Sequence, residues 1–593
     1  MSPIADRLAA LRTLMRERDY AALIVPRADE YLGEYLPAHN ERMHWVSGFT
    51  GSAGVVIVLA DSAAIFVDGR YTVQVRREVD GALFGILDLV NQPHVQWLSG
   101  ELSPGARVAC DPRLHTLAWF RAATQTLEAA DQQLVADTDN LVDRCWHERP
   151  AAQVAPALLL DTRFTGASSE QKRGEIARSL VNAGADAALI FAPDSVSWLL
   201  NVRGTDIPCL PVLQSFALLY ASGAVDLFVD PARIPQGFSA HVGEGVQVLP
   251  ESQALSRFAG LAGKRVLADP DSANAWTQLE LQRAGAHLVP RTDPVLLPKA
   301  CKNAVEVQGA REAHRRDAVA EVRFLAWLDA EVAAGRLHDE DTLAAQLGAL
   351  RAANDHYHGP SFDTISAAGG NAAMCHYNHR NAESPGRLVM DSVYLVDSGG
   401  QYTDGTTDIT RTVAIGNPAE EVRRLFTLVL KGHIALDQAR FPAGTSGTHL
   451  DALARQFLWQ HGYDFAHGTG HGVGAFLSVH EGPQRIARAW NPTALAPGMI
   501  VSNEPGYYRD GEFGIRCENL VVVRECDTVG ETPVYGFEVL TLVPFDRRLL
   551  AESLLSGDEV AWLNRYHARV RDTIGPLLQG ADRAWLEQAT QPL

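Results

Sequence analysis

The sequence has few cysteines and none in a C-x-x-C arrangement. The seven are odd in number and widely scattered, which argues against a disulfide framework and against a zinc ribbon. Long apolar runs are also missing: the run from Gly54 to Ala60 falls far below the roughly 20 residues that a bilayer crossing requires. We therefore expect reduced, mostly buried thiols and no membrane span.

Basic residues are scarcer than acidic ones. The chain has 52 Lys and Arg against 71 Asp and Glu, a formal charge of −19, so we expect no binding to nucleic acid or an anionic membrane. The patterns G-x-S-x-G, H-E-x-x-H and the P-loop are absent, which gives no support to a serine hydrolase, a classical zinc protease or a P-loop enzyme. Asp6 and Arg7 stand where a secretory signal would be apolar, so we expect a cytoplasmic protein.

A chain of 593 residues is too long for one hydrophobic core. An amphipathic helix, around Ile4 to Arg18 and again around Glu170 to Ala183, leads each time into short β-branched strands. The segments that repeat are 19–24 and 65–68 in the first copy and 186–190 and 227–230 in the second. We predict two α/β domains, 1–150 and its duplicate 151–298, then a third domain, 299–593. The fold class is α/β (α+β).

Two helices of the third domain are marked clearly. The first should run from roughly Asn303 to Ala334 and pack on a sheet through one apolar face. The residues of that face are Ala318, Val322, Leu325, Leu328 and Val332. The second should begin with Asn417 as N-cap, Pro418 in the first turn and Glu420 three residues beyond the cap.

A first pair of carboxylates lies on strand-like segments of the third domain. Asp397 ends an apolar run that begins at Ser392, and Asp408 opens the next β-branched run. We interpret the stretch from Gly399 to Gly405 as the turn of a hairpin that brings the two together. Two buried carboxylates at close range repel each other unless cations lie between them.

A second pair follows the same pattern. Glu504 and Glu518 lie on two predicted strands that are separated by a Gly-rich turn from Gly506 to Gly511. Between the two pairs, His471 lies in the string HGTGHGVG, whose glycines let the backbone approach a ligand closely.

Four carboxylates and one imidazole suit two hard divalent metals. Their charge of about −4 matches two divalent cations, and the oxygen-rich set favours manganese, with cobalt or zinc as alternatives. Each residue taken singly has an ordinary explanation, since Asp often begins a turn, Glu is often solvated and His can simply hydrogen-bond. Taken together, they favour a metal-dependent hydrolase.

Several strings resemble the aminopeptidase P (Xaa-Pro aminopeptidase) family of pita-bread metallopeptidases, in its long three-domain form. The strings of the third domain are VDSG at 396–399, DGTTDITR at 404–411, HGTGH at 467–471, VHEGP at 479–483, NEPGYY at 503–508 and GIRCE at 514–518. Further matches are VSGFTGSAG at 46–54, DGRY at 68–71, NVRG at 201–204, LTLVPF at 540–545 and WLNRYH at 562–567. The resemblance implies two creatinase-N-terminal-like α/β domains followed by a pita-bread catalytic domain.

The resemblance also implies a ligand set and a reaction. Asp397 and Asp408 would ligate one metal. Asp408, His471, Glu504 and Glu518 would ligate the other, with Asp408 and Glu518 bridging. A hydroxide between the metals would attack the carbonyl of the Xaa-Pro bond in peptides with proline second and release the first residue.

Other residues of this resemblance lie outside the metal ligands. His376 and His480 would act in catalysis and substrate binding by steadying the carbonyl, the tetrahedral intermediate or the leaving proline nitrogen. His467 would line the substrate pocket, and Arg516 would orient the acidic ligands. His379 matches no motif and is interpreted as an ordinary core or surface histidine.

One string departs from the family pattern. His376 is followed by Tyr377, Asn378 and His379, where the family more often has small residues and a proline. The shape of this loop therefore stays open.

Three alternatives remain open. A prolidase shares the five ligands but cleaves only dipeptides, and the tandem N-terminal domains and the tail beyond Leu540 argue against it. A methionine aminopeptidase lacks such paired domains, and a catalytically inactive pita-bread binding module would not need all the ligands. The family is typically oligomeric, so we expect a homodimer, with Trp562 and Tyr566 either at the subunit contact or buried within one subunit.

Overall fold

The computed structural model describes residues 3–382, 384–527 and 529–593. The chain forms two compact units: residues up to Thr162 with Ala167–Leu296, and Arg163–Gly166 with Leu297–Leu593. Among the described helices, none combines the length and the apolarity that a membrane crossing requires. In the same ranges no disulfide joins any of the seven cysteines.

The first half of the first unit holds a six-stranded sheet. Its elements are α1 (Pro3–Glu17), β1 (Ala22–Pro26), α2 (Arg42–Ser47), β2 (Val55–Leu59), β3 (Ala63–Val67), α3 (Gln74–Glu78), β4 (Gly85–Asp88), α4 (His94–Glu101), β5 (Arg107–Cys110), α5 (Leu117–Glu128), β6 (Gln133–Ala136) and α6 (Leu141–Cys145). The strand order is β4-β3-β2-β1-β5-β6. The β1–β2 and β2–β3 pairs are antiparallel, and the other three are parallel.

The second half repeats this arrangement. Its elements are β7 (Leu158–Leu159), α7 (Thr162–Thr165), α8 (Ser169–Asn182), β8 (Ala187–Ile190), α9 (Pro193–Leu200), β9 (Val202–Arg203), β10 (Phe216–Tyr220), β11 (Val225–Phe228), α10 (Phe238–Val242), β12 (Val246–Leu249), α11 (Ala254–Ala259), β13 (Arg265–Ala268), α12 (Ala275–Arg283), β14 (His287–Pro290) and α13 (Leu296–Ala300). The order β12-β11-β10-β8-β13-β14 has the same sequence of antiparallel and parallel pairs. The central strands are buried throughout, as expected for a sheet covered on both faces.

The second unit contains the remaining elements. They are α14 (Ala304–Ala333), α15 (Glu340–Ala352), β15 (Tyr357–Pro360), β16 (Ile365–Ala368), β17 (Ser392–Ser398), β18 (Gly400–Tyr402), β19 (Gly405–Thr406), β20 (Ile409–Ile415), α16 (Glu420–Asp437), β21 (Phe441–Pro442), α17 (Gly447–Trp459), β22 (Gly470–Gly472), β23 (Glu481–Ile486), β24 (Ile500–Asn503), β25 (Gly506–Arg509), β26 (Phe513–Arg516), β27 (Asn519–Cys526), β28 (Val534–Val539), α18 (Gly557–Ile574) and α19 (Gly580–Ala589). The sheets are β15-β18-β19, β16-β17-β20, β21-β28-β27-β24-β22-β23 and the hairpin β25-β26. Short 3-10 turns connect several elements.

The long helix α14 begins where its capping residues predict. The Asn303 side chain accepts hydrogen bonds from the backbone N–H groups of Val305 and Glu306, and Glu306 accepts from the Asn303 N–H, which satisfies the first turn. Four of its five predicted apolar residues are buried in the core that also holds Val393 and Val413, while Val332 is only partly buried. The predicted packing of this face on a sheet is confirmed.

Two predicted turns and one predicted cap are wrong in detail. Strands β17 and β20 pair as expected, but much of the stretch between Gly399 and Gly405 extends into β18 and β19 and joins β15. Likewise Gly506 begins strand β25, so the turn of that hairpin is only 510–512. Helix α16 begins at Glu420 with Ala419 as its N-cap, so Asn417 lies two residues before the cap, where its N–H donates to Asp391.

The aromatic residues of helix α18 face the interior. Trp562 and Tyr566 stack with ring centroids 5.3 Å apart and are 7% and 5% exposed. The Trp562 Nε1–H donates to Asp437 (2.7 Å), and the Tyr566 hydroxyl donates to the Val543 carbonyl (2.7 Å). Their burial within one chain leaves them unsuited as anchors of a subunit contact.

Candidate metal centre

Strands β17 and β20 bring the first carboxylate pair together. Asp397 lies in β17 opposite Thr410 of β20, and Asp408 immediately precedes β20. Side chains two residues apart on a strand share a face, so Asp408 and Thr410 point toward the same side. Asp397 and Asp408 are both buried.

Strands β24 and β27 bring the second pair close. Asn503 pairs with Asn519, so Glu504 and Glu518 lie side by side at the end of these strands. Their main chains are tied to the neighbouring elements, because the Glu504 N–H donates to the Thr469 carbonyl (2.8 Å) and the Glu518 N–H to the Thr410 carbonyl (3.3 Å).

His471 is held so that one ring nitrogen faces the carboxylates. Its Nδ1–H donates to the Gly472 carbonyl (3.0 Å), which leaves Nε2 at 3.5 Å from Asp408 and 3.4 Å from Glu504. One ligand atom each from Asp408, His471 and Glu518 lie within 4.8 Å of one another. A neutral imidazole fixed in this tautomer is the form that coordinates metals.

The cluster concentrates negative charge in a buried place. Burial, opposed by Arg516 and reinforced by Asp408, raises the pKa of Asp397 to about 6. Burial together with the neighbouring carboxylates raises the pKa of Glu504 to about 7 and that of Glu518 well above its usual range. Burial would lower the pKa of His471, but the hydrogen bond to Asp408 and the charges of Glu504 and Asp408 raise it to about 9.

These residues fit two divalent cations. The Asp397 Oδ1 atom is buried and accepts no hydrogen bond, although a carboxylate oxygen in that position needs a positive partner. The other Asp397 oxygen accepts from Arg516. An oxygen-rich set with one imidazole is typical of manganese, cobalt or zinc centres.

Arg516 and Thr410 orient the acidic residues. The Arg516 guanidinium donates to Asp397, to the Thr410 Oγ1 (3.0 Å) and to the Tyr508 hydroxyl (2.7 Å). Thr410 in turn donates to Glu518 (2.6 Å). The spacing of two residues between Arg516 and Glu518 predicts that they share one strand, and this is wrong: Arg516 ends β26, and residues 517–518 separate β26 from β27.

A second buried arginine lies behind the centre. The Arg411 guanidinium donates to the Glu518 carbonyl and the Asn519 side chain, and also to the carbonyls of Val543 and Pro544. It also donates to the Thr410 carbonyl and the Tyr566 hydroxyl and lies over the Phe545 ring. The Arg411 guanidinium thus connects the main chain of Glu518, a proposed metal ligand, to the C-terminal region.

The predicted histidines lie around the carboxylates. The His480 ring stands at 74° to the His471 ring, with centroids 4.4 Å apart. The His467 Nε2 is 2.8 Å from the Tyr508 hydroxyl, and its Nδ1 is 2.7 Å from the Gly468 carbonyl. His379, interpreted as an ordinary histidine, is buried with Nε2 3.4 Å from Asp341.

His376 follows a residue that touches the centre. The Cys375 thiol is buried beside the Tyr508 hydroxyl, Arg516 and Glu504, and burial raises its pKa to about 11. His376 itself is partly buried. The loop that carries it therefore borders the carboxylate cluster.

Three residues of the site were not found from the sequence. Ser502 donates from Oγ to Glu504 (3.1 Å) and accepts from the His471 N–H (2.9 Å). Tyr508 and Thr410 are the other two. Strand periodicity could have indicated two of them. Ser502 lies two residues from Glu504, and Thr410 lies two residues from Asp408, so each shares a face with a proposed ligand.

Models of known families match the chain in four stretches. The Creatinase/Prolidase N-terminal domain matches 7–145 and again 148–306. Metallopeptidase family M24 matches 308–525, and the C-terminal region of peptidase_M24 matches 533–593. The fold and the site thus define a metallopeptidase with two creatinase-type N-terminal domains and a pita-bread catalytic domain.

Full-length relatives narrow this class. The chain is 40% identical to "Probable Xaa-Pro aminopeptidase P" of Aspergillus niger over 99% of both chains. The crystal structure of X-prolyl aminopeptidase from Caenorhabditis elegans is 35% identical to this chain. The match includes 100% of both chains and has a TM-score of 0.96. The chain belongs to the Xaa-Pro aminopeptidase P family.

Two further proteins are similar to this chain. The chain is 39% identical to "Probable Xaa-Pro aminopeptidase P" of Botryotinia fuckeliana, over 99% of this chain and 93% of the relative. The Xaa-Pro dipeptidase from Bacillus anthracis is 23% identical, with a TM-score of 0.50 over 64% of this chain and 99% of its own. That second likeness shows a shared fold alone.

Proposed function

We propose that this protein removes the first residue from peptides that have proline in second position, with two divalent cations at the carboxylate cluster. The cations' ligands in this proposal are Asp397, Asp408, His471, Glu504 and Glu518. The observation that carries it is the convergence of buried carboxylates on the imidazole Nε2, at 3.5 Å from Asp408 and 3.4 Å from Glu504. Membership of the Xaa-Pro aminopeptidase P family supports the choice of substrate. The C. elegans relative is described as having a di-nuclear active site.

The bound cations supply Lewis acidity and lower the pKa of water, the chemistry of two-metal hydrolysis. The chain's own residues prepare the site for them. Arg516 favours the ionised form of Asp397 and fixes its orientation, and the Thr410 hydroxyl fixes that of Glu518. The Gly472 carbonyl accepts from the His471 Nδ1–H, so that Nε2 is the ring nitrogen that faces the carboxylates and would bind a cation.

The histidines around the cluster serve the substrate in this proposal. The prolyl nitrogen of an Xaa-Pro bond has no hydrogen, so it must take up a proton as the bond breaks. An imidazole N–H of His376 or His480 would hydrogen-bond the carbonyl oxygen or give the nitrogen that proton. His467, fixed against the Tyr508 hydroxyl, would line the pocket for the first residue.

Four further proposals concern this chain. The cations are manganese, with cobalt or zinc as substitutes. The enzyme acts in the cytoplasm, as the C. elegans relative is described to do. It forms a homodimer. The domains divide at about residues 150 and 298, near the limits of the two N-terminal family matches.

The test is a comparison of peptide lengths. Purified protein with added Mn²⁺ should release the first residue from Arg-Pro-Pro, and chelation should abolish the release. The matched control is Asp363→Asn, which removes an exposed carboxylate of the same unit and should keep full activity, whereas Asp408→Asn should lose it. Cleavage of Xaa-Pro dipeptides alone would indicate a prolidase, and no bound metal with no turnover would indicate an inactive binding module.

A further inference from the structure

A buried carboxylate outside the metal centre gathers one loop around itself. Glu340, the first residue of α15, is 0% exposed. One of its oxygens accepts from the Ala368 N–H (2.7 Å) and the Asn371 amide (2.9 Å). The other accepts from the Gly386 N–H (2.6 Å) and the Tyr377 hydroxyl (2.7 Å).

All four donors lie at the end of β16 or in the connection between β16 and β17. We call residues 368–382 and 384–386 the His376 loop. Two more hydrogen bonds fasten the base of the loop to the same residue, from the Glu340 N–H to the Gly386 carbonyl (2.9 Å) and from the Ser366 hydroxyl to the Glu340 carbonyl (2.8 Å). Glu340 thus holds the loop at both of its ends and, through Tyr377, beside His376.

The position of Glu340 requires a carboxylate and does not accept an amide. Each oxygen of Glu340 accepts from a main-chain N–H, and neither N–H can rotate away or accept in return. A glutamine amide would direct its NH₂ group at one of them in either orientation, which leaves a buried donor unsatisfied. Four donors supply the hydrogen bonds that the buried charge needs.

The opposite side of the His376 loop packs against the hairpin that carries Arg516. A Cβ atom at Gly514 would lie 1.9 Å from the Ala372 carbonyl oxygen, and one at Gly370 would lie 2.7 Å from the Gly511 carbonyl oxygen. The loop is therefore clamped between Glu340 on one side and β25–β26 on the other.

We propose that Glu340 and Tyr377 are positioning residues that set where the His376 imidazole stands relative to the carboxylate cluster. The inference rests on the proposed role of His376 toward the substrate. The Tyr377 hydroxyl is bound to Glu340 (2.7 Å) and to the Asn371 amide (3.1 Å), which makes it a fixed anchor next to His376.

The test removes a single hydroxyl in two backgrounds. Tyr377→Phe deletes the tie to Glu340, and Tyr394→Phe is the matched control, because the Tyr394 hydroxyl is buried against Ser366 (2.7 Å) and touches Glu340 only through that residue. Both are measured as Mn²⁺-loaded enzyme on Arg-Pro-Pro, in the wild-type background and with His376→Ala. Bound manganese and the melting temperature are recorded for each variant.

We expect Tyr377→Phe to lower kcat/KM by about tenfold in the wild-type background and to add no further loss to His376→Ala, since residues that act through one group are not additive. Tyr394→Phe should keep the wild-type rate. Equal losses in both backgrounds, or no loss in either, overturn the positioning role and leave the proposed function intact. A wild-type rate for His376→Ala overturns the role of His376 and this inference with it.

Glu340→Gln gives a stronger version of the same comparison. It should lower kcat/KM by more than Tyr377→Phe, again without effect in the His376→Ala background. If this variant fails to fold, Tyr377→Phe alone decides. Full activity of a folded Glu340→Gln protein contradicts the inference.

Discussion

Withdrawing the divalent cations should make the stability of the folded protein depend steeply on pH. In the metal-free protein the pKa of Glu504 is about 7 and that of Asp397 about 6, both above the values of an unfolded chain. The folded state then holds protons that the unfolded state has already lost, so the contribution of these two groups to stability is largest at low pH and is lost as pH rises from about 4 to about 7. His471, with its pKa raised to about 9, extends the fall in the same direction.

The size of the fall follows from Glu504. Its pKa rises from 4.5 to about 7, and 2.5 pKa units at about 1.36 kcal/mol each correspond to about 3 kcal/mol. The acidic residues repel one another, so protonation of one relieves the next and their contributions do not add. We therefore expect a loss of roughly 3 kcal/mol in the free energy of unfolding between about pH 5 and about pH 8.

The assay is urea unfolding of metal-free and Mn²⁺-loaded protein across that range. Bound cations keep the carboxylates ionised, so the loaded protein should lack this fall, and the stabilisation by Mn²⁺ should grow with pH. The other buried acids titrate in both the metal-free and the Mn²⁺-loaded protein, so their contributions cancel when the two stabilities are subtracted. Glu504→Gln is the control, since it should flatten the metal-free curve. A metal-free protein whose stability stays level or rises with pH would refute the reasoning.

Three substitutions around the centre have distinct expected results. Arg516→Lys keeps the positive charge but loses the planar guanidinium that contacts Asp397. It should lower kcat/KM by about 10- to 100-fold, and a wild-type rate would contradict this. Thr410→Val removes the hydroxyl that donates to Glu518, and titration calorimetry should show Mn²⁺ affinity weaker by about tenfold or more, whereas Thr410→Ser should restore it. Arg455→Met removes a buried guanidinium that donates to two carboxylates and to the carbonyls of Phe465 and His467. Urea unfolding should show a loss of about 3–5 kcal/mol in the free energy of unfolding, and a loss under about 1 kcal/mol would argue against this.

Local signals in the sequence were sufficient for much of the fold. The helices predicted from Ile4, Glu170 and Asn303 begin within one residue of those positions, because caps and apolar periodicity act over one or two turns. The pairing of β17 with β20 was likewise predictable, whereas Glu504 and Glu518 meet at the ends of β24 and β27, with the hairpin β25–β26 inserted between them in the chain. Both predicted turns were misplaced, because Gly399 and Gly506 serve close packing in or beside strands instead of a reversal of the chain.

Interactions between distant residues could not be predicted in this way. Glu340 precedes Gly386 by 46 residues, and no periodicity connects the two. The Asn417 N–H donates to Asp391, which lies 26 residues earlier in the chain, and this contact has no local signal either. Only the family resemblance assigned roles to His376 and His480, since an isolated histidine has no pattern of its own.

The buried guanidinium of Arg411 makes the end of the chain part of the catalytic framework. It binds the main chain of Glu518 on one side and the carbonyls of Val543 and Pro544 on the other. A protein shortened before those carbonyls would leave a desolvated positive charge without its acceptors, directly behind a carboxylate of the proposed cation site. Engineering that trims the molecule toward a minimal peptidase must therefore preserve this distal stretch.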